Sequence, residues 1–140
     1  MKVNEIMTAD VEVVAPGATI QEAAQKLKAL EIGSLPVCNG ERLVGVITDR
    51  DITIRAVAEG RDLSTPVEEC MTPEVHWCYE DRPLEEAEQM MKEHQIRRLP
   101  IISREKRLVG ILTLGDLAIK SGDPHRAGET LEEISELAPG

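Results

Sequence analysis

The sequence predicts a mixed fold of helices and strands (α/β, or α+β) in which one strand-helix-strand-strand-helix unit occurs twice. Two observations predict it. Short motifs return at a constant spacing along the 140 residues, and each copy carries the same succession of β-rich runs and amphipathic stretches. The core must be aliphatic, because the chain has no Phe, one Trp and one Tyr.

The repeat is visible in three motifs. Val3-x-Glu5-x-Met7-Thr8 returns 64 positions later as Val67-x-Glu69-x-Met71-Thr72, and Leu35-Pro36 returns as Leu99-Pro100. After a one-residue insertion near 103–106 the spacing becomes 65, and Arg42-Leu43-Val44-Gly45 matches Arg107-Leu108-Val109-Gly110. We therefore place copy one at 1–60, a connector at 61–66, copy two at 67–121 and an acidic tail at 122–140, with an amphipathic helix over 129–138.

Local signals predict the elements of each copy. Copy one has a β-rich run at 11–14, a capping-box helix start at Thr19-Ile20-Gln21-Glu22, strands at 34–38 and 43–48, and a helix over about 49–59. Copy two has the same elements at 75–79, from Pro83, at 99–103 and 108–113, and over about 115–120. Its longer helix carries an apolar stripe that we extend to His94. Asn39-Gly40 is typical of a hairpin turn, and copy two has the longer loop Arg104-Glu105-Lys106 instead.

Composition and charge exclude several classes of function. A net charge of −10 and a pI near 4.8 repel phosphate backbones, and base-stacking aromatics are scarce, so we expect no nucleic-acid partner. No uncharged apolar run reaches the roughly 18 residues that cross a bilayer, and the first residues do not resemble a secretory signal. We therefore expect no membrane association and a cytoplasmic location.

The cysteines leave one question open. Cys38, Cys70 and Cys78 are odd in number and lack CxxC spacing, which favours reduced thiols. Cys70, His76 and Cys78 lie close enough in sequence to be weak candidates for metal ligands. The alternative, which we favour, is that both cysteines are small buried hydrophobic residues and that no metal is bound.

The most informative spacing is Thr-x-x-Asp, which follows an apolar strand in both copies at Thr48 and Asp51 and at Thr113 and Asp116. Such a pattern is a helix-capping box, in which Thr and Asp each bond the other's backbone. It also suits a nucleotide, because a Thr hydroxyl can hold a phosphate oxygen and an Asp can accept the hydroxyls of a ribose. The spacing alone leaves the two interpretations open.

Taken together, Met-Thr, the strand starts with Leu-Pro and the paired Gly-h-h-Thr-x-x-Asp, where h is apolar, resemble a tandem CBS-domain protein of the stand-alone bacterial or archaeal type. The resemblance covers residues 3 to about 121. It implies two β-α-β-β-α repeats that pack by their sheets about a pseudo-twofold axis, and commonly a homodimer of such modules. It also implies two clefts between the repeats that bind adenosine-containing ligands such as AMP, ADP, ATP, NAD(H) or S-adenosylmethionine.

Carried over position by position, the resemblance implies that Asp51 and Asp116 hold the ribose and that Thr48 and Thr113 lie near the phosphate. The segments that border base and ribose are the two strand starts: Gly33, Ser34, Leu35 and Pro36 in copy one, and Arg97, Arg98, Leu99 and Pro100 in copy two. Arg97 and Arg98 carry forked donors that suit phosphate, whereas Arg50 stands beside Asp49, which can neutralise it. We therefore expect unequal affinities. The alternative for these arginines is a surface ion pair of little energetic value.

No arrangement in the sequence favours an enzyme. The three histidines have no nucleophile at an interpretable spacing, and phosphate-binding glycine loops are absent from the sequence. We therefore predict a regulatory module that requires no cofactor, takes an adenine nucleotide as its regulatory ligand, and acts through its oligomer or through an effector protein that the sequence does not identify. The alternative is a structural dimerisation module without nucleotide, in which the Thr-x-x-Asp motifs are only helix caps and a metal assists assembly.

Overall fold

The computed structural model describes residues 1–120 and Gly128, and it confirms the mixed α/β class. The helices are α1 (Ile20–Leu30), α2 (Asp49–Asp51, continued by a π-helical stretch Ile52–Val57), α3 (Leu84–His94) and α4 (Leu114–Lys120). The strands are β1 (Ser34–Asn39), β2 (Arg42–Thr48), β3 (Cys78–Tyr79), β4 (Arg98–Ile102) and β5 (Leu108–Thr113). The predicted tail helix over 129–138 lies outside the described residues. None of the described helices is both long and apolar enough to cross a membrane.

The chain folds into two compact units whose boundaries differ from those of the repeats. Unit A comprises Glu12–Val75, and unit B comprises Met1–Val11 together with the described chain from His76 to Lys120. Each copy therefore contributes its leading segment, residues 1–11 of copy one and 67–75 of copy two, to the unit built around the other copy. Both leading segments carry the Met-Thr motif. The connector predicted at 61–66 belongs to unit A, where Thr65 accepts a backbone hydrogen bond from the first residue of α1.

Each unit has its own aliphatic core. In unit A, Leu35, Val37 and Ile47 of the hairpin pack with α1 and with Val67 and Cys70 of the leading segment of copy two. In unit B, the corresponding cluster includes Val3 and Ile6 from the start of the chain. Burial of these apolar side chains is what fixes the leading segments in the exchanged position.

Unit A is organised on the antiparallel hairpin β1–β2, in which Ser34 pairs with Thr48 and Asn39 with Arg42. The predicted turn is confirmed, and Gly40 adopts φ 66°, a left-handed conformation that glycine accepts without strain. The predicted strand at 11–14 is wrong in extent, because only Val14 forms a parallel bridge, to Val37.

Unit B has a three-stranded sheet in the order β3-β4-β5, with β3 parallel to β4 and β4 antiparallel to β5. Here the edge strand is longer because the Glu80 amide donates to the Ile102 carbonyl at 2.9 Å. The equivalent residue in copy one is Pro16, which has no amide hydrogen and cannot continue the ladder.

The long helices follow their sequence signals closely. Thr19 caps α1 by accepting from the Glu22 amide at 3.1 Å, as the capping box predicts, whereas Pro83 lies at the N-cap of α3, one position before the first turn. Both helices end on a non-glycine residue in the left-handed conformation, Glu31 and Gln95. The apolar stripe of α3 ends at Met91; its extension to His94 is wrong, because His94 is exposed.

Candidate functional site

In unit A, the Thr-x-x-Asp turn joins β2 to α2 and forms a complete capping box. The Thr48 hydroxyl accepts from the Asp51 amide at 2.9 Å, and the Asp51 carboxylate accepts from the Thr48 amide at 3.0 Å. The strand holds Thr48 in an extended conformation, and the helix begins at the next residue. This geometry fixes both side chains at the junction.

Unit B repeats the arrangement between β5 and α4. The Asp116 carboxylate accepts from the Thr113 amide at 2.9 Å, and the Thr113 hydroxyl accepts from the Asp116 amide at 3.0 Å. The capping interpretation of the motif is therefore confirmed in both copies. Because each Thr oxygen only accepts in this box, its own hydroxyl proton remains available to a ligand.

A second threonine meets each carboxylate, and the sequence did not identify its role. The Thr8 hydroxyl donates to Asp116 Oδ1 at 2.8 Å, and the Thr72 hydroxyl lies 3.4 Å from both carboxylate oxygens of Asp51. Both threonines belong to the exchanged leading segments. The signal that could have found them is the Met-Thr pair, which recurs with the rest of the repeat.

The leading segments approach the strands at a glycine. Thr72 and Val46 exchange backbone hydrogen bonds of 2.8 and 3.0 Å, and Thr8 pairs with Ile111 in the same way. A Cβ on Gly45 would lie 2.7 Å from the Thr72 carbonyl, and one on Gly110 would lie 2.8 Å from that of Thr8. Glycine is therefore required at these two positions because the segments lie directly on the strand backbone.

The two carboxylates are nearly buried, and each has a cation one helical turn further on. Asp51 is 8% exposed and Asp116 is 5% exposed. Lys120 Nζ lies 3.1 Å from Asp116 Oδ1, whereas Arg55 Nε lies 3.8 Å from Asp51 Oδ1. The acid of unit B is thus held by stronger contacts than the acid of unit A.

The predicted strand starts lie beside these turns. Ser34 pairs directly with Thr48, and Arg98 pairs with Thr113, so both are next to the capping boxes. The side chains of the following residues are buried in the two units: Leu35, Pro36, Leu99 and Pro100. These four residues can therefore border a ligand through their backbone rather than through their side chains.

The charges around the two turns differ. Arg50 and Arg97 are exposed and Arg98 is half-buried, and within the described part of the chain none of the three guanidinium groups forms an ion pair. In unit A the Asp49 carboxylate lies over Gly33, where a Cβ would be 3.4 Å from Asp49 Oδ2. Unit B has Arg97 and Leu114 at the two equivalent positions. The turn of unit A thus has an acid that unit B lacks, and the turn of unit B has a base that unit A lacks.

The weak metal candidates fall in different surroundings. Cys70 is buried in the core of unit A, and Cys78 is buried in unit B, where burial raises the pKa of its thiol. His76 is exposed and stacks on His94 with a centroid separation of 3.5 Å. Among the described residues, no three His, Cys, Asp or Glu side chains come together in a way that could hold a metal ion.

Comparison with known sequences gives one family. The sequence model of the CBS domain matches residues 3–57 and 67–122. The CBS domain-containing protein YhcV of Bacillus subtilis (strain 168) is 46% identical over 133 residues, covering 95% of this chain and 94% of that protein. The two matched segments correspond to the two sequence repeats.

Solved structures with the same fold carry ligands of two kinds. Hypoxic Response Protein I, solved with two coordinated zinc ions, has a TM-score of 0.78 at 38% identity and covers 86% of this chain and 98% of its own. CBSX2 in complex with AMP has a TM-score of 0.75 at 27% identity, with coverages of 86% and 95%. The CBS domain pair of MJ0100, in complex with 5′-methylthioadenosine and S-adenosyl-L-methionine, has a TM-score of 0.72 at 30% identity, with coverages of 87% and 96%.

Proposed function

This chain belongs to the CBS-domain family, and from that membership we propose that it is a regulatory, non-catalytic protein that binds an adenosine-containing ligand at its Thr-x-x-Asp turns. The observation that carries the proposal is the repeated Thr-Asp-Thr arrangement, in which an Asp fixed by a capping box is met by a threonine from the leading segment. The AMP bound to CBSX2 and the adenosine derivatives bound to the MJ0100 pair support the ligand class.

In this proposal the carboxylate exchanges one hydroxyl donor for another. A ribose hydroxyl donates to Asp116 Oδ1 in place of Thr8, and the Thr113 hydroxyl donates to a phosphate or to another acceptor at the 5′ position. The exchange removes the side-chain hydrogen bond of Thr8, which is one of the contacts that hold the leading segment on β5. Ligand binding is thereby coupled to the position of that segment, which is the coupling a sensor needs.

The turns differ in the ligand they favour. Arg97 and Arg98 supply donors for phosphate beside Thr113, whereas Asp49 places a negative charge beside Thr48. We therefore assign a phosphorylated ligand such as AMP, ADP or ATP to unit B. The turn of unit A suits a ligand with fewer negative charges at the 5′ position. No cofactor is required in either case.

The output is a homodimer or an effector protein. Each unit exposes large apolar side chains on the helix that follows its Thr-x-x-Asp turn, namely Ile54 and Val57 in unit A and Ile119 in unit B. Ile54 and Ile119 occupy equivalent positions in the two copies. Light scattering with and without ligand measures the oligomeric state directly, and Ile54→Glu together with Ile119→Glu should abolish a dimer built on these helices.

A second candidate is a structural module without nucleotide. It is favoured by the two capping boxes, in which the Thr and Asp amides and the Asp carboxylates are hydrogen-bonded without any ligand. The metal-assisted form, for which the sequence offers Cys70, His76 and Cys78, has no support from the described residues, since these three side chains are not brought together. Elemental analysis of the purified protein tests that form separately, and a stoichiometric metal would support it.

Calorimetric titration with AMP, ADP, ATP, NADH, S-adenosylmethionine and methylthioadenosine decides between the two candidates. We expect at least one ligand to bind more tightly than about 1 mM, and Asp51→Asn and Asp116→Asn to weaken binding. Glu22→Gln is the matched control, because Glu22 closes a capping box at α1 that lies outside both turns. The sensor proposal fails if none of the ligands binds, or if both Asp variants bind as tightly as the wild-type protein.

A further inference from the structure

Unit B contains a cavity that is separate from its Thr-x-x-Asp turn. It has a volume of about 390 Å³, which is within the range of small-molecule sites. Its lining consists of Trp77, Cys78, Tyr79, Arg82, Glu86, Met90 and Arg104, so one acid stands beside the two arginines. The cavity lies where β3 leads into α3 and β4 into β5. Thr113 pairs with Arg98 at the opposite end of the strands, so the two places are about 15 Å apart along β4.

The only Trp and the only Tyr of the chain both line the cavity. The two rings meet edge to face, with centroids 5.0 Å apart. Lys106 Nζ lies 4.8 Å from the Trp77 centroid and donates to the Tyr79 hydroxyl at 2.8 Å. The rings are thereby held in place as a wall to which a flat apolar molecule can pack.

Two arginines line the same cavity and are positioned by carboxylates. Arg82 Nε bonds Glu86 at 2.5 Å, and Arg104 bonds Asp81 through Nε and Nη2 at 2.9 and 2.8 Å while its guanidinium lies 4.0 Å from the Tyr79 centroid. A guanidinium carries five N–H donors. These ion pairs use one donor of Arg82 and two of Arg104, so both arginines keep donors for an anion in a fixed orientation.

Copy one has none of these groups at the equivalent positions. Trp77, Tyr79 and Arg82 correspond to Val13, Ala15 and Ala18. The loop that carries Arg104 and Lys106 contains the one-residue insertion, and a tight turn at Asn39-Gly40 replaces it in copy one. The cavity is thus not part of the repeated architecture, and the shared fold does not require its residues.

We propose that this cavity binds a small organic anion with a flat apolar body. The body packs against Trp77, Tyr79 and Met90, and the carboxylate or phosphate accepts hydrogen bonds from Arg82 and Arg104. This ligand does not compete with the adenosine ligand, because the two sites lie at opposite ends of the sheet of unit B. The pocket chemistry supplies both halves of the recognition, apolar contact area and charge-assisted hydrogen bonds.

Trp77 allows a direct test, because it is the only tryptophan and its fluorescence reports on this cavity alone. The intact protein is titrated with phenylacetate, phenyl phosphate, benzyl alcohol and inorganic phosphate, with excitation at the red edge of tryptophan absorption. We expect a saturable change with at least one of the two aromatic anions, and at least about tenfold weaker binding of the neutral alcohol and of inorganic phosphate. The preferred anion then identifies the carboxylate or the phosphate as the group that the site recognises.

Variants separate the site from its surroundings. Arg82→Gln and Arg104→Gln should each lower the affinity for the aromatic anion by roughly tenfold. Tyr79→Ala, which introduces the residue of copy one, should also lower this affinity. Arg42→Gln is the matched control, because Arg42 is an exposed arginine of unit A. Circular dichroism and thermal melts verify that each variant is folded.

Three outcomes would overturn the proposal: no saturable change with either aromatic anion, equal affinity for benzyl alcohol, or wild-type affinity in both arginine variants. The last test repeats the phenyl phosphate titration in the presence of saturating AMP. If AMP displaces phenyl phosphate competitively, the cavity is not an independent site. Failure of the adenosine proposal would leave this test unaffected, since its readout is Trp77 and its probes contain no adenosine.

Discussion

Unit A and unit B close their capping boxes with the same hydrogen-bond lengths, 2.9 and 3.0 Å, yet they surround the boxed acid differently. Asp116 has a threonine at 2.8 Å and a lysine at 3.1 Å, whereas Asp51 has a threonine at 3.4 Å and an arginine at 3.8 Å. Capping is a local requirement that both copies must satisfy to fold. The surrounding contacts are not part of the cap, so they can diverge between the two units without loss of the turn.

The largest effect is expected when the contact between a leading segment and its strand is disturbed, which should lower the free energy of unfolding. Gly110→Ala would place a methyl group 2.7 Å from Met7 Sδ and 2.8 Å from the Thr8 carbonyl, and Gly45→Ala would do the same to Met71 and Thr72. Since a backbone atom must move in each case, we expect each substitution to cost about 1–3 kcal/mol of unfolding free energy. Urea denaturation measures the loss.

Gly17→Ala is the control for both glycine variants, because a Cβ at Gly17 meets no atom within 4 Å. If Gly45→Ala and Gly110→Ala behave like Gly17→Ala, the segments do not lie on the strands as described. If only one of them is destabilising, the leading segment packs closely on its strand in one unit but not in the other.

The next largest effect is expected on AMP affinity, when the charged residues of the two turns are exchanged. In Gly33→Arg/Asp49→Leu, the turn of unit A acquires the residues of unit B, and in Arg97→Gly/Leu114→Asp the reverse exchange is made. We expect the first variant to raise the affinity of unit A for AMP, and the second to lower the affinity of unit B, each by roughly tenfold. Calorimetric titration resolves the two sites by their stoichiometry.

A long-range effect of net charge would mimic this result. Glu59→Arg has the same change of two charges as Gly33→Arg/Asp49→Leu, at an exposed residue beyond the turn of unit A. If Glu59→Arg raises AMP affinity equally, the local pairing of Gly33 with Asp49 does not determine the preference.

The local part of the fold could be predicted because its signals are local. The capping boxes at Thr19, Thr48 and Thr113 and the turn at Asn39-Gly40 lie within four residues of the groups they bond. Position 80 shows the limit of a repeat-based prediction. The repeat predicts a strand at the start of both copies, but Glu80 has an amide hydrogen where Pro16 has none, so the two edges differ.

The exchanged segments could not be predicted from the repeat, because sequence similarity shows which residues are equivalent and not which residues touch. Gly45 and Gly110, inside apolar strands, were the available sign that another backbone lies close. The cavity of unit B was hidden for a similar reason. Trp77 and Tyr79 stand two apart on one strand face, but Arg104 joins them only through the order β3-β4-β5.

The contacts of the two acids should differ in energy. Double-mutant cycles of Thr8→Val with Asp116→Asn and of Thr72→Val with Asp51→Asn measure each pair in urea denaturation. We expect a coupling of about 1 kcal/mol for the first pair and a smaller value for the second, because a 3.4 Å contact is a poor hydrogen bond. Equal couplings would show that the difference between 2.8 and 3.4 Å does not make the Thr8 contact stronger than the Thr72 contact.

The smallest expected effect is a difference in how salt changes the pKa of two exposed acids, one from each unit. Hydrogen bonds from Arg104 lower the pKa of Asp81 in unit B, whereas the Ser64 amide and hydroxyl lower the pKa of Asp62 in unit A. A lowered pKa means that each interaction stabilises the fold above the ordinary Asp value and is lost as the pH falls through the folded value. Because only Asp81 depends mainly on a full charge, added salt should raise its pKa towards the ordinary value and leave that of Asp62 nearly unchanged.

Carboxyl NMR titrations at low and high salt make this comparison, with Arg104→Gln as the control that should raise the pKa of Asp81 alone. An Asp81 pKa that ignores both salt and Arg104→Gln would show that Arg104 is not held by this acid in solution. Its guanidinium would then not be pre-oriented towards the cavity, and the affinity of that cavity for an aromatic anion would have to come from the apolar wall and Arg82.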